Sequence, residues 1–255
     1  MKILRLSYSA WDTYQTCGYK YYLKFIKHIK PPVPIRYPLV TGLAFHELVN
    51  AMYKERKFDR SFLTKNWKVY FLNELEKEGS MFSSTEDSEK YLKYGYGLIS
   101  KFYKFAEKEG YLVEPIETEW AFKIPNNGTE IVGKVDLIIE RKNADFKEVL
   151  DFKTGWKLPS VDYVDISHQL TIYDWAVKLL LGLTNLKVSL FYPRQATVLY
   201  GSRTEDQHKE MLKGLNEFAS KVQAQIFDPN FTHCLKCEFK DYCDRYKNKD
   251  STLSL

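Results

Sequence analysis

The chain has 255 residues, of which 44% are hydrophobic and 28% are charged, and its net charge is +5. The hydrophobic share is sufficient for a core, and no apolar run approaches the ~18 residues of a membrane-spanning helix, so we expect no membrane partner. The mild basic excess is compatible with a polyanionic partner without requiring one. Aromatic residues make up 16% of the chain, and tyrosines left at the surface are candidate platforms for stacking nucleobases.

The N-terminal end begins with an expected helix. Ser9 as the N-cap with Asp12 three positions later resembles a capping box. We expect this helix to run to about Lys30, where the prolines within 31–34 end it. The first residues do not resemble a signal peptide, so we expect a protein of the cytoplasm, or of the host cytoplasm if the chain is viral.

Helical and strand-like segments alternate along the rest of the chain. We expect helices over about 42–56, 59–77, 88–110, 165–181 and 205–226, with a polar loop over 79–87. We expect strands over about 112–124, 130–140, 146–153, 187–192 and 196–200. This alternation predicts an α/β fold with a central mixed sheet flanked by helices, in a single domain over 1–255.

Two short motifs, 133–136 (GKVD) and 151–155 (DFKTG), occur in two strands that a turn-prone segment separates. The pattern predicts a hairpin that brings Asp136, Asp151 and Lys153 together, with Asp151 and Lys153 on one face of the strand. Two carboxylates beside an amine suit metal-assisted hydrolysis of a phosphodiester, because carboxylates bind divalent cations and the amine can orient water or offset charge. Either motif alone is more often an ordinary strand end with solvated side chains, but the two in order, each after an apolar run, are much harder to obtain by accident.

Three further polar residues have two interpretations each. His46 lies on a mainly apolar helix and could be a hydrogen-bonded core residue or an additional metal ligand. Gln169 and Tyr173 are four residues apart and share a helix face, where they could hold a phosphate or a water, or form a half-buried polar pair.

Four cysteines make up the remaining candidate metal ligands. Cys234, Cys237 and Cys243 are close in sequence, whereas Cys17 lies on the first predicted helix. Four thiols in an apparently cytoplasmic chain indicate one tetrathiolate site rather than disulfides. The uneven spacing with one remote ligand favours an iron–sulfur cluster over zinc, and free buried thiols are the third possibility.

Lys20, Lys24 and Lys27 follow Cys17 at helical spacing. They could form a stripe that follows the phosphates of DNA, or they could be a solvated face of the helix.

Together these motifs resemble the RecB-like branch of the PD-(D/E)XK nuclease superfamily, in particular its members with a cysteine cluster: CRISPR-associated RecB-like exonucleases, AddB nuclease domains and phage exonucleases. The resemblance covers 7–22, 42–46, 133–136, 151–155, 169–173 and the three C-terminal cysteines, in the order typical of that branch. Gly18 replaces the usual proline and Asn50 a frequent glutamate. Residues of about 56–115 match no motif and are interpreted as a variable helical region.

The resemblance implies a restriction-endonuclease-like fold and a role for each matched residue. His46, Asp136, Asp151 and the backbone carbonyl of Phe152 would hold Mg²⁺ or Mn²⁺. Lys153 would position the attacking water, with Gln169 and Tyr173 supporting it. The resemblance also implies a [4Fe–4S] cluster that joins Cys17 to the segment 231–246.

The function predicted on this basis is a metal-dependent DNA exonuclease that acts on single-stranded or frayed ends. The resemblance suggests recombination, replication-end processing or CRISPR spacer acquisition as the setting, with proteins of those systems as partners. A structure-specific or RNA-directed endonuclease would use the same site, and a non-catalytic iron–sulfur DNA-binding adaptor is the remaining alternative.

Overall fold

The structure is a computed structural model and describes residues 3–31, 36–78, 85–160 and 162–247. The chain divides into two compact units. Unit 1 comprises the described parts of Met1–Val33, Lys123–Gly133 and Lys209–Leu255, and unit 2 those of Pro34–Phe122 and Lys134–His208. The expected prolines at 32 and 34 and most of the expected loop 79–87 lie outside the described residues.

The described elements alternate as an α/β protein. The strands are β1 (Leu4–Leu6), β2 (Glu117–Asn126), β3 (Thr129–Glu140), β4 (Lys147–Phe152), β5 (Leu186–Tyr192) and β6 (Thr197–Gly201). The α-helices are α1 (Tyr8–Thr16), α2 (Gly18–Tyr21), α3 (Tyr37–Lys54), α4 (Arg60–Lys77), α5 (Thr85–Lys108), α6 (Tyr163–Ile166), α7 (His168–Leu181), α8 (Glu205–Gln223) and α9 (Asp244–Lys247). A π-helical turn covers Tyr22–Ile26, and 3₁₀ turns cover Phe231–Lys236 and Lys240–Tyr242. None of the helices described is long and apolar enough to cross a membrane.

The strand pairings form a mixed sheet. In unit 1, β1 runs parallel to the start of β3. In unit 2, β3 pairs antiparallel with β4, β4 parallel with β5, and β5 antiparallel with β6. The predicted α/β class and the predicted hairpin of β3 and β4 are therefore confirmed.

A two-residue turn that sequence analysis overlooked joins β2 to β3. Asn127 and Gly128 both have positive φ, 45° and 76°. Asn–Gly is the preferred pair for such a turn, because both central residues must adopt left-handed backbone conformations that match the twist of the strands.

The core of unit 2 lies against one face of β4. The ring centroid of Phe152 is 5.9 Å from those of Phe45 and Phe102 and 5.5 Å from that of Phe191. Because side chains alternate along a strand, the burial of Phe152 on this face turns Asp151 and Lys153 to the opposite face.

The first helix differs from its prediction at both ends. Ser7, not Ser9, is the N-cap of α1, and its hydroxyl accepts a hydrogen bond from Ala10 N at 3.2 Å. The helix does not reach Lys30, because Cys17 adopts an extended backbone conformation and caps α2 instead, with its Sγ accepting from Lys20 N. The prediction of one continuous helix carrying Cys17 and the three lysines on one face is therefore wrong.

Other boundaries shift by a few residues. The strand expected from 112 begins at Glu117, because Pro115 has no N–H to give to a strand ladder. The helix expected over 165–181 is interrupted at Ser167, whose extended backbone and side-chain hydroxyl cap α7. The expected helical region of about 56–115 contains α4 and α5 among the described residues.

Candidate active site

The predicted acids lie on the neighbouring strands β3 and β4 of unit 2, Asp136 within β3 and Asp151 one residue before the end of β4. Asp136 Oδ2 accepts a hydrogen bond from the backbone N of Phe152 at 2.8 Å, which ties the two strands together at this point. The same oxygen lies 3.3 Å from Nδ1 of His46 on α3. The structure therefore brings His46, Asp136 and the start of the DFKTG motif together, although two of them are ninety residues apart in sequence.

A second group of side chains surrounds Asp151. Lys153 Nζ lies 2.6 Å from Asp151 Oδ2 and donates to Gln169 Oε1 at 3.1 Å. The amide nitrogen of Gln169 donates to Asp151 Oδ1 at 3.0 Å and to the hydroxyl of Tyr173 at 2.9 Å. Gln169, on α7, thus bridges the carboxylate of Asp151 and the amine of Lys153. Its hydrogen bond to Tyr173 agrees with the prediction that the two residues share a helix face.

Burial and charge act in opposite directions on the two carboxyl groups. Burial raises the pKa of Asp151 above its ordinary value, although the ion pair with Lys153 opposes the rise. Burial also acts to raise the pKa of Asp136, but the hydrogen bond and charge of His46 outweigh it, and the pKa lies below its ordinary value. Asp136 is therefore the readily ionised member of the pair.

The two basic groups remain protonatable despite burial. Burial lowers the pKa of Lys153, but the carboxylate of Asp151 more than offsets this and the pKa is raised overall. Burial acts to lower the pKa of His46, but the hydrogen bond that its ring N–H donates to Asp136, together with the charges of Asp136 and Asp151, outweighs burial, and the pKa is raised overall. Lys153 is therefore a fixed ammonium group beside the acids.

The oxygen donors of Asp136 and Asp151 fit a divalent cation. Among the described residues, Oδ2 of Asp151 has no hydrogen bond of good geometry, although Lys153 Nζ is close. The ammonium of Lys153 compensates the charge of this buried oxygen only in part, since the pKa of Asp151 is still raised, and a divalent cation on the same carboxylate would compensate it further. Across the described ranges, no three His, Cys, Asp or Glu side chains are arranged to hold a metal ion. Mg²⁺ does not need such a cage, since it is usually bound by one or two carboxylates with water and phosphate oxygens.

The helix that carries His46 approaches the motif loop closely. A Cβ at Gly42 on α3 would lie 2.6 Å from Oγ1 of Thr154. Glycine at this position therefore allows α3 to lie directly against the segment that follows Lys153.

Glu119 and Thr118 on β2 also lie at the site, although neither is among the residues predicted from the sequence. Both line a small cavity together with His46, Asn50 and Asp136. Glu119 has a positive φ of 46° and pairs with Lys134 at 2.6 Å, and Thr118 donates to Asn50 at 2.7 Å. Positive φ at a non-glycine residue is not visible in the sequence, so no pattern could have identified Glu119.

The four cysteines all lie in unit 1 and all are free thiols. Cys17 Sγ accepts from Asn230 N at 3.2 Å, and Asn230 donates from its side chain to Thr16 O at 2.9 Å, so the N-terminal segment contacts the tail. Burial raises the pKa of Cys237, and Cys17 is near enough to contribute. In the described parts of the chain, no three of these thiols lie close enough together to hold a metal ion, so the iron–sulfur cluster is not confirmed.

The three lysines predicted to bind DNA already have partners within the protein. Lys20 forms an ion pair with Glu238 at 3.0 Å. The amines of Lys24 and Lys27 lie over the rings of Phe25 and Tyr22. Lys20 is thus already neutralised within unit 1, and DNA contact by the stripe stays a prediction.

Comparisons with known proteins agree with this geometry. A family model of the PD-(D/E)XK nuclease superfamily matches residues 5–244, whereas no curated protein matches the chain. The crystal structure of a protein from Eubacterium rectale, named "Putative exonuclease", is similar with a TM-score of 0.55 and 12% identity, covering 96% of this chain and 87% of its own. The match to the structure of SSO0001 covers 91% of this chain and 96% of that one at 16% identity, but its TM-score of 0.35 is too low to indicate a shared fold. The first likeness shows a shared fold, and since the family model spans nearly the whole sequence, the chain belongs to the PD-(D/E)XK nuclease superfamily.

Proposed function

We propose that this protein is a metal-dependent DNA exonuclease that hydrolyses phosphodiester bonds at single-stranded or frayed ends. The observation that carries the proposal is the convergence of Asp136 on β3 with Asp151 and Lys153 at the end of the paired strand β4. The presence of both acids and the lysine argues against a non-catalytic adaptor.

Each side chain has a defined task in this proposal. Asp136, Asp151 and the carbonyl of Phe152 would hold Mg²⁺ or Mn²⁺, which when bound polarises the phosphate and acidifies a water. Lys153, fixed by Asp151 and Gln169, orients that water and offsets charge that develops on the phosphate. His46 fixes the carboxylate of Asp136 and is a candidate additional ligand.

Gln169 and Tyr173 are positioning residues in this scheme. The Gln169 amide holds the acid and the amine at once, and the Tyr173 hydroxyl accepts from that amide. Neither group needs to touch the phosphate for the arrangement to work.

A digestion assay tests the proposal. End-labelled linear single strands, closed circular single strands, duplex DNA and RNA are incubated with the protein in Mg²⁺ and, separately, in EDTA. An exonuclease degrades linear DNA from its ends and leaves the circle intact, whereas cleavage of the circle or preference for RNA would favour the endonuclease alternatives.

Paired variants show whether the observed activity belongs to this site. Lys153→Ala should lower the rate by about 100-fold or more, since it removes a positioned charge. Lys147→Ala is the matched control and should cleave normally, because Lys147 lies at the other end of β4, where its amine pairs with Glu140 at 3.6 Å. Equal rates for the two variants would remove Lys153 from the mechanism.

We further infer that the four cysteines bind one metal centre, an iron–sulfur cluster rather than zinc. The support is the set of four free thiols within one unit and the contacts of Cys17 with the C-terminal segment. Protein purified without oxygen should be brown and contain about four irons per chain. A content of one zinc per chain would show that the thiols bind zinc rather than iron. A metal-free protein with the same melting temperature would refute the metal site.

The DNA-binding role of Lys24 and Lys27 is tested by salt dependence. Their joint replacement by alanine should flatten the fall of DNA affinity with salt, because fewer counterions are released on binding. An unchanged slope would show that these lysines are solvated surface.

A further inference from the structure

An aromatic and cationic stack follows the DFKTG motif directly. The guanidinium carbon of Arg194 lies 3.5 Å from the ring centroid of Trp156 and 4.3 Å from that of Tyr94. The two rings are 5.3 Å apart with an interplanar angle of 32°. Arg194 is thus held against both rings, and we call Trp156, Arg194 and Tyr94 the stacking cluster.

The stacking cluster is rigidly tied to the catalytic loop. Arg194 donates from Nε and Nη2 to the carbonyl of Thr154, at 3.3 and 3.1 Å. Gln195 donates to the carbonyl of Trp156 at 2.8 Å. These hydrogen bonds fix the segment after Lys153 to the turn after β5, so little conformational freedom remains to be lost when a ligand binds.

Trp156 is nevertheless 60% exposed. A hydrophobic ring held rigidly in solvent and backed by a cation is suited to receive another flat π system. Base–aromatic stacking and stacking on arginine are the usual means by which proteins hold unpaired nucleotides.

Some buried polar atoms in and beside the stacking cluster lack hydrogen-bond partners. Within the described ranges, the buried Nη1 of Arg194, the hydroxyl of Tyr94 and Oε1 of Gln195 have no hydrogen-bond partner. Two of these atoms, the hydroxyl of Tyr94 and Nη1 of Arg194, belong to the stacking cluster, and both can donate to a polar anionic ligand.

The distance from the acids is short. Trp156 is three residues beyond Lys153, so their Cα atoms can be at most about 11 Å apart. A nucleotide on Trp156 is therefore only a few positions from the phosphate at Lys153.

We propose that Trp156, backed by Arg194 and Tyr94, is a stacking platform for one unpaired base of the DNA strand, a few nucleotides from the scissile phosphate. This inference rests on the proposed nuclease function and assigns its substrate class. Inside a duplex each base face is covered by its neighbours, so the platform selects single-stranded or frayed DNA.

Binding without cleavage tests the platform. The affinity of a fluorescent single-stranded oligonucleotide is measured in EDTA for the wild type, Trp156→Ala, Trp156→Phe and Leu179→Ala. Trp156→Ala should weaken binding by about 5- to 150-fold, the effect of one lost base stack, and Trp156→Phe should retain most of the affinity. Leu179, a 55% exposed side chain on α7, controls for loss of apolar surface and should have no effect.

An abasic scan identifies the stacked base. A single missing base at one position should weaken binding to the wild type as much as Trp156→Ala does, and the same oligonucleotide should bind Trp156→Ala with no further loss. Additive losses, an equal loss on blunt duplex, or no binding of single strands by the wild type would overturn the platform. If Trp156→Ala fails to fold, a wild-type scan without any sensitive position overturns it as well.

The two proposals fail differently. A wild type that binds single strands in this position-dependent way but cleaves no DNA in Mg²⁺ would refute the nuclease function and leave the platform. A wild type that cleaves DNA, with Trp156→Ala unchanged in affinity, would refute the platform alone.

Discussion

Replacing Gln169 by leucine removes the amide that connects the acid and the amine of the site, at nearly constant volume. Gln169 donates to Asp151 at 3.0 Å and accepts from Lys153 at 3.1 Å, and both partners are charged. A hydrogen bond to a charged group contributes about 1.5–3 kcal/mol. If the loss of one such bond raises the activation free energy by this amount, the rate falls by about 10- to 150-fold.

The loss should appear in kcat rather than in KM. Gln169 holds Lys153 in position but is not proposed to bind the DNA, and an interaction that matters only in the transition state lowers kcat and kcat/KM equally. Single-turnover cleavage of an end-labelled single strand in Mg²⁺ measures the chemical step without product release.

Gln207→Leu is the matched control. Gln207 also makes several hydrogen bonds, to Thr204 N at 2.9 Å and to Asp165 O at 2.9 Å, but it lies at the start of α8 outside the site. The Gln207→Leu variant should be less stable to unfolding than the wild type but should cleave DNA at the same rate. A folded Gln169→Leu protein with an unchanged kcat, or with its loss confined to KM, would refute the positioning role.

Two other predictions concern the site and the helical core. Asp151→Asn should abolish turnover and lower the melting temperature, because it leaves the ammonium of Lys153 without its ion-pair partner. Mg²⁺ should raise the melting temperature of the wild type only, and Mg²⁺-dependent cleavage by this variant would exclude Asp151 as a ligand. Gly95→Ala on α5 places a Cβ 1.9 Å from the buried ring of Trp67 and should destabilise the fold by about 1–3 kcal/mol, whereas Gly97→Ala, with no described atom within 4 Å, should stabilise the helix by about 0.5–1 kcal/mol. Chemical denaturation of both variants checks the pair, and equal effects would contradict the packing argument.

Local patterns predicted the α/β class and the hairpin because both depend on residues near one another in sequence. Apolar alternation places Phe152 in the core, and Asp151 and Lys153 then share the other face. The hairpin brings Asp136 on β3 next to these residues. The helix spacing of Gln169 and Tyr173 likewise follows from a four-residue separation.

Local patterns failed where two similar residues could serve the same role. Ser7 and Ser9 are both suitable N-caps, and only the backbone of the folded chain selects Ser7. Cys17 looked like an interior helical residue, but contacts with Asn230 in the distant tail accompany its extended conformation. No short window of sequence contains such information.

The sequence by itself thus determined the class of fold, the strands that carry the acids and the family to which the chain belongs, since these are written in periodicity and ordered motifs. Only the tertiary structure decided which partners the side chains meet: Gln169 between Asp151 and Lys153, and Arg194 against Trp156, nearly forty residues earlier in the chain. The physical reason is that hydrogen bonds and ring contacts between distant segments depend on how helices and strands pack, and packing is a property of the whole chain rather than of any local pattern.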